Sequence, residues 1–127
     1  ERPVPTTVDP YESIISLQSS TTTTSPCYHV LSYDKALTLN RVTIANGYAN
    51  GEGIDAYGGA LIMLDPTRKT NLHLIDCKFI NNTAINGGAL WFESTDVNNV
   101  DVFINNCLFQ NNHAINGQYE GGYGGAI

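Results

Sequence analysis

Basic residues are scarce in this sequence. Lys and Arg together number 6 against 12 Asp and Glu, and the formal net charge is −6. The few cations are scattered, so the chain lacks the basic surface that nucleic acid or anionic lipid requires. Every apolar run is far shorter than the roughly 20 residues of a membrane-spanning helix. We therefore expect neither a nucleic-acid partner nor a membrane span.

Residues that commonly hold metals are few as well. The chain has 3 cysteines and no Cys-x-x-Cys pair that would indicate zinc. His29, His73 and His113 have no Ser, Cys or carboxylate at an interpretable spacing, and they are interpreted as incidental polar positions. The sequence predicts no metal and no cofactor.

What the sequence does have is a repeated tripeptide. Gly-Gly-Ala followed by Leu or Ile occurs at residues 58–61, 87–90 and 124–127. A matched segment of alternating apolar residues precedes each copy, at residues 37–46, 72–81 and 102–111. Three aligned copies at this spacing predict stacked repeats, in which no single unit buries its own apolar face.

Short strands and corners are the predicted contents of each repeat. Apolar residues alternate with period two, and the alternation slips at residues 40–41, 75–76 and 105–106, where a bend is expected. A second corner follows at 81–82 and 111–112. Most corner residues are Asn or Asp, which tolerate the left-handed backbone of a tight turn.

These strands are joined by corners and not by the long helical crossovers of βαβ units. The predicted fold is therefore all-β, a right-handed parallel β-helix (a solenoid) with about three repeats visible. Its handedness rests on the general preference for right-handed crossovers. We expect Phe79 to stack on Phe109, and equivalent corner asparagines to form a hydrogen-bonded ladder.

Two regions are predicted. Residues 1–36 form a Pro/Ser/Thr-rich segment, with a candidate strand at 11–18 and a candidate first rung (the strands of one turn of the coil) at 28–33. Residues 37–127 form the β-helix repeats. Because the chain stops directly after the third Gly-Gly-Ala, we expect a fragment of a longer solenoid. Further turns of it, or neighbouring subunits, would cover the uncapped C-terminal end.

At this point the motifs resemble a known family. Gly-Gly-Ala-Leu/Ile combined with Phe-x-x-Asn at 79–82 and 109–112 is similar to the repeat of chlamydial polymorphic outer membrane proteins and other right-handed β-helix surface proteins. The first copy departs, because residues 44–47 lack both the Phe and the final Asn. The resemblance covers about residues 37–127. It implies a secreted or cell-surface protein that acts as a passenger, an adhesin or a structural element.

Two places are candidates for glycosylation. Asn81 begins the only Asn-x-Ser/Thr sequence, and it is either a glycan acceptor in a eukaryotic secreted protein or a corner residue committed to the ladder. The second place is a Ser/Thr run before Pro26 that contains Thr21, Thr22, Thr23 and Thr24. This run is either a flexible loop or an O-glycosylated segment.

Two insertions before Gly-Gly-Ala carry the candidate ligand-facing tyrosines, which are Tyr57, Tyr119 and Tyr123. Acidic residues lie in the same insertions, at Glu52, Asp55 and Glu120, without the spacing of an EF-hand, and Tyr48 is nearby. Insertions at one point of a repeat protrude on one face. They form either a ridge that binds sugar or protein, or adaptable loops whose tyrosines pack locally.

Cys77 and Cys107 occupy equivalent positions in adjacent repeats. Stacking brings their α-carbons within disulfide range, although directly opposed parallel positions rarely give good torsions. The pair is therefore either a disulfide or, as we favour, an inward ladder of free thiols. Cys27 has no evident mate.

The expected function is that of a non-catalytic structural component of an extracellular fibre or cell-surface glycoprotein, built by stacking of β-helix turns. The strands after Gly-Gly-Ala carry only Glu93 as an ionisable residue, which disfavours catalysis. One alternative is a carbohydrate-binding adhesin or passenger domain that uses the tyrosine insertions, with glycans as partners. A second alternative is a polysaccharide-degrading enzyme on the same fold.

Overall fold

Short strands and tight corners alternate along the chain. The structure, a computed structural model, describes residues 13–16, 28–65, 67, 70–93, 95, 100–117 and 122–127. Within these residues the chain is all-β, apart from one turn of 3-10 helix at Gly53–Ala56. The strands are β1 Ser13–Ser16, β2 Leu31–Tyr33, β3 Ala36–Asn40, β4 Val42–Ala45, β5 Tyr48–Ala49, β6 Leu61–Met63, β7 Thr70–Ile75, β8 Lys78–Ile80, β9 Thr83–Ala84, β10 Leu90–Trp91, β11 Val100–Asn105, β12 Leu108–Gln110 and β13 His113–Ala114.

All of these strands pair in parallel. They form four sheets, in the orders β1-β4-β8-β12, β2-β6-β10, β3-β7-β11 and β5-β9-β13. Each sheet takes at most one strand from each repeat, so the repeats lie one upon another. We call the strands of one repeat a rung. The predicted class, all-β with parallel sheets, is confirmed.

Equivalent residues of successive rungs are in register. Phe79 of β8 lies between Ile44 of β4 and Phe109 of β12. The two phenyl rings stack with centroids 4.9 Å apart and planes 9° from parallel. Leu72 is likewise paired with Leu37 and with Val102. The predicted stacking of Phe79 on Phe109 is confirmed.

The N-terminal segment also contributes strands to the stack. β1 pairs with β4 over four residues, and β2 pairs with β6 over three. β1 lies within the candidate strand at 11–18, and β2 lies within the candidate rung at 28–33. Thr21, Thr22, Thr23, Thr24 and Cys27 lie outside the described residues.

Both sets of corners adopt the left-handed backbone that the Asn and Asp residues predict. The first corner has positive φ at Arg41, Asp76 and Asn106, at 58°, 53° and 52°. The second has positive φ at Asn46, Asn81 and Asn111, at 64°, 57° and 54°. Corners of the same kind lie above one another, and Asn106 Nδ2 donates to Asp76 Oδ1 at 2.7 Å. The corner type therefore follows from residue chemistry.

The Gly-Gly-Ala motif forms a third corner, and its two glycines serve different purposes. Gly87 has φ 59°, a conformation that side chains disfavour. Gly88 has no such φ, but a Cβ there would lie 2.2 Å from the Gly125 carbonyl oxygen and 2.7 Å from that of His113. Ala89 is fully buried. The motif thus combines a left-handed turn, a close backbone approach and a small core residue.

Apolar side chains fill the space enclosed by the sheets. The largest fully buried ones are Phe79, Ile44, Leu61, Ile62, Leu72, Leu74 and Leu90. Tyr33 joins this core, and its hydroxyl is buried with no hydrogen-bond partner among the described residues. Burial raises the pKa of Tyr33 to about 12. No helix among the described residues has the length and apolar character to cross a membrane.

Candidate functional site

Buried asparagines link the rungs through their side chains. The Asn82 side chain, fully buried, accepts from the Gly47 N–H at 3.0 Å and donates to the Ile44 carbonyl at 3.2 Å. Asn112 repeats the pattern one rung on, since its Oδ1 accepts from the Asn82 N–H and its Nδ2 donates to the Phe79 carbonyl. The amide of Asn82 also donates to Asn112 Oδ1 at 3.0 Å. The expected ladder therefore exists, and the Asn of Phe-x-x-Asn forms it.

The first copy departs from this motif for a spatial reason. It has Gly47 where the later copies have Asn82 and Asn112, and a Cβ at Gly47 would lie 1.6 Å from the Gly59 carbonyl oxygen. No side chain fits there. Gly47 therefore contributes only its backbone N–H to the ladder.

One edge of the stack has strand groups with no neighbour among the described residues. In β12, Leu108 donates to the Cys77 carbonyl and Gln110 accepts from the Asn81 N–H. Because alternate residues of a parallel strand bond to opposite neighbours, the Phe109 N–H and carbonyl face away from β8. Phe103, Ile104 and Leu108 expose 48 %, 37 % and 46 % of their surface on this last rung.

The last described rung also carries backbone groups of the ladder at this edge. The Asn82 N–H donates to the side-chain amide oxygen of the next rung's asparagine. In that next rung, the Asn112 N–H and the Phe109 carbonyl have no such partner among the described residues. Translation by one rung places the side chain of another Phe-x-x-Asn asparagine at these two groups. The edge is thus complementary to one more copy of the same repeat.

Cys77 and Cys107 are present as thiols. Cys77 is buried, and its Sγ lies 3.2 Å from the Ile75 carbonyl oxygen. Cys107 is partly exposed, and its Sγ lies 3.4 Å from the Leu74 carbonyl oxygen. Burial is the main reason that the pKa of the Cys107 thiol is raised. The two thiols line the interior in adjacent rungs.

Asn81 and Asn82 differ in exposure, and Asn82 is the one that forms the ladder. Asn81 has the left-handed backbone and is exposed, whereas Asn82 is buried in the ladder. Thr83, the third residue of the sequence Asn-x-Thr, is partly buried and begins β9. Asn81 is therefore exposed to solvent and is not the ladder residue.

The tyrosines of the two insertions differ in their surroundings. Tyr57 stacks on Trp91, with ring centroids 4.6 Å apart and planes 17° from parallel. Tyr123 is 65 % exposed, and its backbone bridges to Asn86, which bridges in turn to Tyr57. Tyr119 lies outside the described residues, as does Glu120. Tyr57 thus packs locally, and Tyr123 faces outward.

A groove of about 660 Å³ lies on the insertion face. Its floor and walls combine tyrosines, isoleucines, amides and carboxylates, from Tyr28, Tyr48, Asn50, Gly51, Glu52, Asp55, Ile85, Ile115, Asn116 and Gly117. Tyr48, Glu52 and Asp55 among these were candidate ligand residues from the sequence. The others are far apart along the chain, and parallel stacking brings them together.

Two histidines also have contacts that sequence spacing did not reveal. The Nδ1 of His29 donates to the Gly58 carbonyl at 3.0 Å, and its Nε2 lies 3.7 Å from Asp55 Oδ1. The Nε2 of His73 lies 3.1 Å from Asp101 Oδ2 in the next rung. Separations of 26 and 28 residues explain why no short motif shows either contact.

No group of three or more metal-binding side chains is found in the part of the chain that the structure describes. The inward and outward positions of β6 and β10 are occupied by Leu61, Ile62, Met63, Leu90 and Trp91. Glu93 follows β10 and is exposed.

The fold and its ladders define an all-β protein of stacked parallel repeats. Residues 76–93 and 102–127 match the family model of the Chlamydia polymorphic membrane protein repeat. The resemblance seen in Gly-Gly-Ala and Phe-x-x-Asn is thereby confirmed for the second and third copies. This family indicates a protein of the cell surface or outer membrane. Searches of curated proteins and of solved structures each gave no significant match.

Proposed function

We propose that the chain is a right-handed parallel β-helix and a non-catalytic structural component of an extracellular fibre or cell-surface glycoprotein. Rungs that stack end to end would build the assembly. The single observation that carries this proposal is the amide ladder between rungs, in which Asn82 bonds to Gly47 and Ile44, and Asn112 repeats these bonds one rung further on. The right hand follows from the strong preference of parallel crossovers.

The existing junctions show what such stacking provides. The two junctions on either side of β8 combine parallel strand pairing, an apolar ladder through Phe79 and a buried amide ladder through Asn82. Unpaired strand edges with apolar side chains are templates for addition of another strand. The partner that satisfies all three features is another rung of the same repeat, from the same polypeptide or from a neighbouring subunit.

Assembly can be tested by sedimentation velocity and electron microscopy over a hundredfold range of concentration. We expect elongated species that grow with concentration. Phe109→Lys places an inward-pointing charge in β12 and should abolish these elongated species. Leu108→Lys adds the same charge to the outward face of the same strand and should leave them intact, with circular dichroism to show that both variants are folded.

Two outcomes contradict this role. One is a strictly monomeric chain at every concentration. The other is an equal loss of assembly in the Phe109→Lys and Leu108→Lys variants. Turnover of uronate polymers, with or without Ca²⁺, would contradict the non-catalytic part of the proposal.

The glycoprotein part of the proposal rests on Asn81, which is exposed beside the buried Asn82. Expression through a eukaryotic secretory pathway should add a glycan that an N-glycosidase removes. The Asn81→Gln variant should lack it. A chain of unmodified mass from that pathway contradicts the assignment.

A further inference from the structure

The groove on the insertion face has a continuous apolar floor. Ile115 donates its N–H to the Ala84 carbonyl, and Ile85 donates in the same way to the Ala49 carbonyl. The two isoleucines therefore occupy equivalent positions in successive rungs, about 4.8 Å apart along the stack. Both side chains line the groove, one in each of two successive rungs.

Fixed hydrogen-bonding groups stand along one side of this floor. The 3-10 turn holds Asp55, because its N–H donates to the Glu52 carbonyl and its carbonyl accepts from the Gly51 N–H. The ring of His29 is itself fixed by the Gly58 carbonyl and lies 3.7 Å from the Asp55 carboxylate. The Asp55 side chain remains 44 % exposed, so its oxygens can accept hydrogen bonds from a ligand.

Aromatic rings and amides complete the lining. Tyr48 is 51 % exposed at the groove, and the half-buried Tyr28 ring packs against Gly51. Asn50 and Asn116 are exposed, and each amide offers both donors and an acceptor. An apolar body with a polar tip suits tyrosine to ligands that have both apolar faces and hydroxyl groups.

The charges that line the groove select among such ligands. Glu52 and Asp55 are its only carboxylates, and no Lys or Arg lines it within the described chain. Anionic ligands would meet repulsion without a compensating cation. A volume of about 660 Å³ lies within the range of small-molecule sites.

We propose that this groove binds a neutral saccharide of one or two rings. The C–H faces of the sugar lie on Tyr48 and on the isoleucine floor, and its hydroxyls bond to Asp55 and the asparagines. This site goes beyond the structural role proposed above. Of the tyrosines that the sequence suggested for a binding ridge, Tyr48 lines it, whereas Tyr57, which stacks on Trp91, and Tyr123 do not.

Ligand-observed NMR and calorimetry on the intact chain can test this site. The probes are the neutral disaccharides cellobiose, maltose, lactose and chitobiose, with digalacturonate as the acidic counterpart. We expect at least one neutral disaccharide to bind and digalacturonate to bind at least tenfold more weakly. Tyr48→Ala and Asp55→Asn should each reduce affinity about tenfold, the effect of roughly 1.4 kcal/mol.

Tyr123→Ala is the matched control, because Tyr123 is also an exposed tyrosine but does not line the groove. It should change affinity less than twofold, and circular dichroism should be the same for all variants. The proposal is overturned if none of the neutral disaccharides binds at a concentration of about 10 mM, which would nearly saturate a site of millimolar Kd. Preferential binding of digalacturonate, or an equal loss in the Tyr123→Ala variant, overturns it as well.

Discussion

Replacing Asn82 by Ala is the sharpest test of how the rungs are held together. The side chain makes three hydrogen bonds, to the Gly47 N–H, the Ile44 carbonyl and Asn112 Oδ1. Each contributes about 1 kcal/mol net, and the buried Gly47 N–H left without a partner costs about 1 kcal/mol more. We therefore expect the free energy of unfolding to fall by about 4 kcal/mol, a large share of the roughly 5–15 kcal/mol typical of a domain.

Urea denaturation followed by circular dichroism measures this loss. With a slope of about 2 kcal/mol per molar urea, the midpoint should fall by about 2 M. Asn81→Gly is the matched control at the adjacent position, because glycine adopts the local φ of 57° freely and the side chain is exposed. Its midpoint should stay within about 0.3 M of the parent's, since exposed substitutions usually matter little.

Asn82→Asp tests whether the hydrogen-bond donors of the amide matter, apart from the space that the side chain fills. A carboxylate keeps the shape but faces two oxygen acceptors, the Ile44 carbonyl and Asn112 Oδ1, with no donor of its own. It should destabilise the fold at least as much as Asn82→Ala. The ladder would be shown not to stabilise the stack if Asn82→Ala cost less than about 1 kcal/mol (a typical single hydrogen bond) or no more than Asn81→Gly.

Three further predictions concern the corner glycine, the core tyrosine and the stacked thiols. Gly88→Ala should lower the melting temperature more than Gly53→Ala does. A Cβ at Gly88 would lie 2.2 Å from a backbone oxygen, whereas a Cβ at Gly53, where φ is 61°, would have no atom within 4 Å. Equal shifts in melting temperature would contradict the close-approach explanation. The folded pKa of Tyr33 is about 12, above its ordinary value near 10, so the stability that comes from its neutral phenol is present below pH 10 and is lost as the pH rises towards 12. Tyr33→Phe should therefore hold its urea midpoint better than the parent between pH 10 and 12, and an identical decline in both proteins would refute this. Iodoacetamide should label Cys107 before the buried Cys77. The labelling rate of Cys107 should rise at a higher pH than that of a free thiol, because burial raises its pKa. Faster labelling of Cys77, measured by peptide mass spectrometry, would contradict the observed burial.

Most of the repeat architecture was predictable because it is encoded locally. Period-two alternation determines which side of a strand faces inward, so the stacking of Phe79 on Phe109 follows from the residue pattern alone. A left-handed corner favours a few residue types, so the presence of Asp76 and Asn111 predicted the turns at these positions. Arg41 shows the limit of this logic, because it adopts φ 58° at a position where its neighbours in the stack are Asp and Asn.

Other features were ambiguous in sequence because a shift of one position along the chain changes which side chain points inward. Asn81 and Asn82 are adjacent and chemically identical, yet one faces solvent and the other fills the ladder. A one-residue difference reverses the direction of a side chain. Only the corner's geometry decides which of them is buried, and hence which is accessible for modification.

The sequence by itself determined the repeat, its strands, its corners and the equivalence of its stacked residues, since each depends on residue types at short fixed spacings. The tertiary structure decided the groove, the His29–Asp55 contact and the choice of Asn82 and Asn112 as the ladder residues. The physical reason is that parallel stacking brings residues some thirty positions apart to neighbouring strands about 4.8 Å from one another. The insertions between them have no periodicity from which their contacts could be predicted.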